Sequence, residues 1–282
     1  MKGLTPRCGW LAGALWLLLV PALARAEVSA ALPEAVDEQV ERGWDHPVEA
    51  LRALDALATR FPAGAGRTRM LLLGRGLVAA ASAHAADTAE VMSALARLDA
   101  DPLSKADIEL VRATRADADG DGDAVMKAGA AALEIYRLNC PEAAGCDYRS
   151  SWHALKLLAR HEAMRGQSHV AFEYAQAAAD LAASKGDRPR EALSRGMMAN
   201  VLGEQGDAAR AHQQLAAALQ LARSTGLPAI ESRLQICVQI AAERRGDLAA
   251  AWRAGSTALA LARLADSPRL IAQQQGNLAD IA

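Results

Sequence analysis

The chain has 282 residues, of which 52% are hydrophobic but only 4% aromatic, so a sizeable core can form but must be built mainly from Ala and Leu. Its long runs of Ala, Leu, Arg, Glu and Gln favour helix, and it lacks the β-branched alternation of strands, which predicts an all-α chain and excludes a sheet fold. With 31 basic against 33 acidic residues, nothing in the charge points to a nucleic-acid partner.

In chain order, residues 1–26 stand apart. Lys2 and Arg7 precede an apolar run from Trp10 to Val20, which is followed by Pro21 and the small-residue site Ala24-Arg25-Ala26. That pattern predicts a signal peptide cleaved after Ala26, and hence a periplasmic protein. The run is about half of the roughly 20 residues that a membrane-spanning helix needs, so no membrane span is expected in this chain. Cys8 lies ahead of the run, badly placed for lipid attachment after cleavage. Removing the leader takes away three bases and no acid, leaving 28 basic against 33 acidic residues.

Residues 27–119 are expected to form degenerate helical repeats, with helices near 46–60, 68–85, 87–99 and 103–116 that have hairpin size but no repeat signature. Next, Asp117, Asp119 and Asp121 alternate ahead of Gly122 as in the start of a calcium loop, but the twelfth place is Ala128 instead of a bidentate Glu. Gly120-Asp121 is better read as the turn of a helical hairpin. The following helix leads to Cys140 and Cys146, which flank a five-residue insert. In an oxidising compartment these two predict a disulfide, while Cys237, inside a helical apolar pattern, stays reduced.

Residues 120–282 carry the repeat. Gly166, Gly206 and Gly246 are 40 residues apart. Five residues after each stands an alanine (Ala171, Ala211, Ala251), twelve after another (Ala178, Ala218, Ala258), and fifteen after a leucine (Leu181, Leu221, Leu261). A glycine can take the left-handed backbone that ends one helix, and Asp207 or Asp247 beside it can cap the next. The alanines lie seven apart on one face, where neighbouring helices can approach closely. Pro189, Pro228 and Pro268 then suit the first turn of the following helix.

These residues resemble the tetratricopeptide repeat, whose second helix follows a Gly-Asp turn with Ala five and twelve residues later; Leu219, Leu221, Leu259 and Leu261 match its ending. Arg195, Leu202 and Gln235 stand where the family often has aromatics. The resemblance implies a right-handed α-solenoid of antiparallel helical hairpins, about six here, and a concave groove lined by the first helices. Carried onto this chain, the groove places fall on His153, Lys156 and Arg160, on Leu193, Gly196, Asn200 and Glu204, and on Arg233 and Arg244. A basic strip on an acidic protein suits a carboxylate or an acidic peptide, so a protein or peptide ligand is expected.

Leader, repeat length and composition together resemble the periplasmic input region of membrane-bound GGDEF diguanylate cyclases; the alternatives are a free-standing periplasmic scaffold and an envelope-assembly factor. The last repeat stops short of the Gly due near 286, which suggests a longer protein and an uncovered face able to form a homodimer. No Gly-x-Ser-x-Gly elbow, phosphate loop or dinucleotide fingerprint occurs, and His153, His161 and His169 recur every eight residues across the Gly166 turn, off one face. No catalytic, cofactor-binding or metal residue is therefore assigned, and no enzyme activity is expected of this chain.

Overall fold

The computed structural model describes residues 32–61, 63–82, 85–98, 101–140 and 147–281. These hold thirteen helices and no strand. Helix α1 covers residues 32–43; then follow α2 Pro47–Arg60, α3 Ala65–Ala81, α4 Ala85–Ala96, α5 Pro102–Asp119, α6 Gly122–Asn139, α7 Tyr148–Met164, α8 Ser168–Ser184, α9 Arg188–Glu204, α10 Ala208–Thr225, α11 Pro228–Arg244, α12 Leu248–Leu264 and α13 Pro268–Ala279. The leader expected at 1–26 and Cys146 lie outside the described residues. No helix among those described is long and apolar enough to cross a membrane.

Local chemistry sets the helix ends. The side chains of Asp101, Asp121, Asp147, Asp187, Asp207 and Asp247 each accept a hydrogen bond from a backbone N–H in the first turn of the helix they precede. Gly166, Gly206 and Gly246 have φ of 75°, 80° and 73°. The N–H after each donates back to the carbonyl of Glu162, Leu202 or Ala242 at 2.9–3.0 Å, closing the helix that ends there. A second series, Gly186, Gly226 and Asp266, takes the same left-handed conformation. Each repeat therefore has two such turns, of which the sequence reading identified one.

Helices pack as consecutive antiparallel pairs, α5 with α6 through α11 with α12, each pair against the next. Ala171, Ala178, Ala218, Ala251 and Ala258 are fully buried, as close helix contact requires. Ala211 departs from the pattern and is half-buried. In the first half, Leu54, Leu77, Val78, Leu110, Val111 and Val125 belong to one aliphatic cluster that continues to Leu157.

Helix α1 is absent from the helices read from the sequence. Its Leu32, Val36 and Val40 are buried in that same cluster with Leu73 and Leu77 of α3. Glycine lets the two helices touch: a Cβ at Gly43 would lie 2.6 Å from Val78, and one at Gly74 would lie 2.7 Å from Val36. The opposite side of α1 faces the first helices of the later repeats.

Candidate functional site: the concave surface

Four arginines from four successive first helices converge on α1 and the turn after it. Arg149 of α7 pairs with Glu34 at 3.0 Å and approaches Asp37 at 3.5 Å. Arg190 of α9 donates to Asp37 and to its own capping residue Asp187, at 2.8 Å from the latter, with Glu41 3.7 Å away. Arg233 of α11 faces Glu41 at 3.9 Å. At α13, Asp45 accepts hydrogen bonds from Ser267 Oγ at 2.8 Å and from the Arg269 backbone N–H at 3.2 Å, while the Arg269 guanidinium lies over the Trp44 ring. Glu34, Asp37 and Glu41 share a helix face because residues three, four or seven apart do.

Trp44 anchors the centre of this surface. Its ring stacks on His153 with centroids 6.3 Å apart, and the Lys156 ammonium lies 5.4 Å from the Trp44 ring and 5.2 Å from the Trp152 ring. Burial pushes Lys156 down to about 8, against the pull of Glu41, with Arg233 and Arg190 adding to the fall. Burial also holds His153 well below the usual imidazole value, helped by Lys156 and Arg190, so it is neutral at pH 7. Burial lifts Asp37 to about 6 against the pull of Arg190, which leaves it ionised at neutral pH.

The groove residues named from the sequence divide into three groups. His153, Lys156 and Arg233 come together beside α1; His153 is buried and also lies 3.4 Å from Thr114 Oγ1, so it is no open contact residue. Arg160 pairs with Asp117 of α5 at 3.1 Å. Asn200 and Arg244 meet elsewhere, at the C-terminal ends of α9 and α11: Arg244 donates to the Asn200 carbonyl at 3.1 Å and pairs with Glu204 at 2.8 Å. Asn200 Nδ2 approaches the free thiol of Cys237, which burial pushes up to about 11. Cys140 is disulfide-bonded; its expected partner Cys146 lies outside the described residues.

Sequence reasoning missed Arg149, Arg190 and Arg269, which look like ordinary helix-start cations, and it missed the acidic helix they hold. The available signal was Leu32, Val36 and Val40 at four-residue spacing with Glu34, Asp37 and Glu41 on the other side. Beside α1 a cleft of 480 Å³ remains, walled by Pro189, Leu193, Leu227 and Ile230, with Arg42, Arg190 and Arg233 and the carboxylates of Asp37, Glu41, Asp45 and Asp266 around it.

No family model and no curated protein matches the sequence. Solved structures match by fold. A Rap protein complexed with Competence and Sporulation Factor superposes with a TM-score of 0.62 at 16% identity, over 91% of this chain and 71% of that one. The apo form of RapI gives 0.60 at 9% identity, over 90% and 70%. A signal-transduction ATPase with a tetratricopeptide repeat sensor, from Pyrococcus horikoshii, gives 0.51 at 14%, over 95% of this chain but 44% of its own. The chain thus has a tetratricopeptide-like α-solenoid fold.

Proposed function

We propose that this chain is an exported helical-repeat scaffold that recognises a protein or peptide partner along its concave surface, in the cleft left open beside α1. The arginine series carries the reading. Successive repeats each present a guanidinium to one acidic helix, which is charge recognition of an acidic segment performed within the chain. Displacing α1 would expose Leu32, Val36 and Val40, at about 1.5–3 kcal/mol each. A modest ligand does not supply that, so α1 stays and the partner binds next to it. Arg233 holds Glu41 only at 3.9 Å, and Arg42 has no ion-pair partner among the described residues, so a partner carboxylate has two guanidiniums within reach of the apolar wall of Leu193, Leu227 and Ile230.

The test is an Arg42→Ala, Arg233→Ala double variant. Exposed or loosely paired cations contribute about 1 kcal/mol or less to stability, so helicity and melting should stay near native while capture of a partner cross-linked in periplasm falls. Native capture should also weaken with salt, since exposed charges are screened within about 8 Å at physiological ionic strength. Capture by the double variant equal to native overturns the reading.

Two finer parts of the proposal rest on sequence. The leader supports periplasmic export, checked by fractionation and by a mature N-terminus at Glu27. The arrangement of leader and long repeats supports a role as the sensory input region of a longer membrane-bound signalling protein resembling a diguanylate cyclase. That is checked by whether partner binding to the full protein alters cyclic dinucleotide synthesis.

A further inference from the structure

Where α9, α10 and α11 meet, the repeat leaves a hole. A cavity of 170 Å³ is walled by Ala199, Ala208, Ala211, Leu215 and Ala241, with Asn200, His212, Arg244 and Arg245 at its polar edge. One repeat earlier the corresponding space is filled: Met198 is 1% exposed and packs with Ala159, Ala175 and Ala179, with Phe172 alongside, and Val201 is buried. Forty residues on, the places of Met198, Val201 and Phe172 are held by Val238, Ala241 and His212. These three replacements each shorten or polarise a side chain, and although Leu215 and Leu219 are longer than their counterparts Ala175 and Ala179, the gap beside Leu215 stays open. This explains why Ala211 is half-buried while its counterparts Ala171 and Ala251 are fully buried.

We infer that this cavity is a socket for one apolar side chain of Leu, Met or Phe size, presented by a partner segment with a carboxylate next to it. The volume decides the occupant's size: an apolar cavity of about 150 Å³ accepts benzene and otherwise stays dry. The lining is mostly apolar, so an occupant's polar group set against Ala199, Ala211, Leu215 and Ala241 would lose its hydrogen bonds there. The edge decides the charge. The Arg244 guanidinium is balanced by Glu204, but Arg245 has no ion-pair partner among the described residues, and His212 adds a second donor. An acidic residue flanking the apolar one therefore finds a cation beyond the lip. This socket is distinct from the cleft along α1, and its test does not depend on what occupies that cleft.

The experiment titrates benzene, and then N-acetyl-Leu-Asp-amide and N-acetyl-Ala-Asp-amide, into the full chain while amide and methyl NMR shifts are followed. Saturable benzene shifts at Ala199, Ala211 and Ala241 are expected in the native protein. They should be abolished in Ala241→Val, which restores the residue found one repeat earlier, or in His212→Phe, which restores the ring. Having two filling variants guards against one that misfolds. The leucyl peptide should bind at least about tenfold more tightly than the alanyl peptide, as for a hydrophobic pocket that loses more than one methylene, and Arg245→Ala should weaken the leucyl peptide several-fold while leaving benzene binding unchanged. The inference is overturned if native protein shows no saturable benzene shifts, if both filling variants bind benzene as native does, or if the two peptides bind equally.

Discussion

Residues 32–140 and residues 147–281 both consist of paired antiparallel helices, yet they are held together by different means. In the first region, long aliphatic side chains such as Leu54, Leu110 and Val111 join one continuous cluster. In the second, small clusters of four or five buried residues, rich in alanine, sit between neighbouring helices, for example Ala192, Ala218 and Ala222 with Ile230 and Leu234. A continuous core can tolerate irregular repeats, because contacts far apart in sequence reinforce one another. Stacked alanine contacts need the register to be kept, since each repeat touches only its neighbours. The repeat signature is therefore sharp where packing is modular and faint where it is not. Helix α1 belongs to both regions, with its apolar side in the first core and its acidic side on the arginines of the second.

The largest expected way to break this junction is Arg190→Ala. It strips the guanidinium from Asp37, Glu41 and Asp187 and leaves the partly buried Asp37 with only the more distant Arg149 at 3.5 Å, at about 3 kcal/mol or more. Chemical denaturation followed by α1 and α12 reporters should change from one shared transition to two, with the repeats unfolding first. A single transition at the native midpoint would show that α1 does not couple the regions.

A smaller, pH-dependent effect isolates Lys156. Its ammonium faces Glu41, Arg233, Arg190 and Asp117 and sits at about 8 against an ordinary 10.5. Below about 8 both folded and unfolded chains hold the proton, and the penalty of burying it is fully present. Between about 8 and 10.5 the folded chain has released the proton while the unfolded chain keeps it, so stability rises with pH over that window. Urea denaturation at steps across this window should show the rise in native protein and its loss in Lys156→Met; parallel curves would remove Lys156 as the source.

The smallest effect is expected for Asp45→Ala, which removes the acceptor for Ser267 Oγ and the Arg269 N–H at the start of α13. Losing such a capping contact costs about 1 kcal/mol. Hydrogen exchange should quicken in the first turn of α13 and around Trp44 while α5 and α6 keep their native rates. Uniform change across the chain would mean that the contact is not local.

The sequence by itself determined the helices of the later repeats, their forty-residue register, the Gly-Asp turns and, Ala211 apart, the contact alanines. These depend on backbone conformation, capping and i, i+7 spacing, all of which act within a few residues. It also singled out Lys156 and Arg233, which lie beside Glu41 of α1. Only the tertiary structure decided what faces them. Glu34 meets Arg149, Asp37 meets Arg190 and Asp45 meets the start of α13 across 115, 153 and 222 residues, because solenoid curvature carries α13 back to the turn after α1. No local rule encodes that return. The cavity beside Ala211 was equally out of reach, since a hole is defined by side chains from three helices and by what none of them fills.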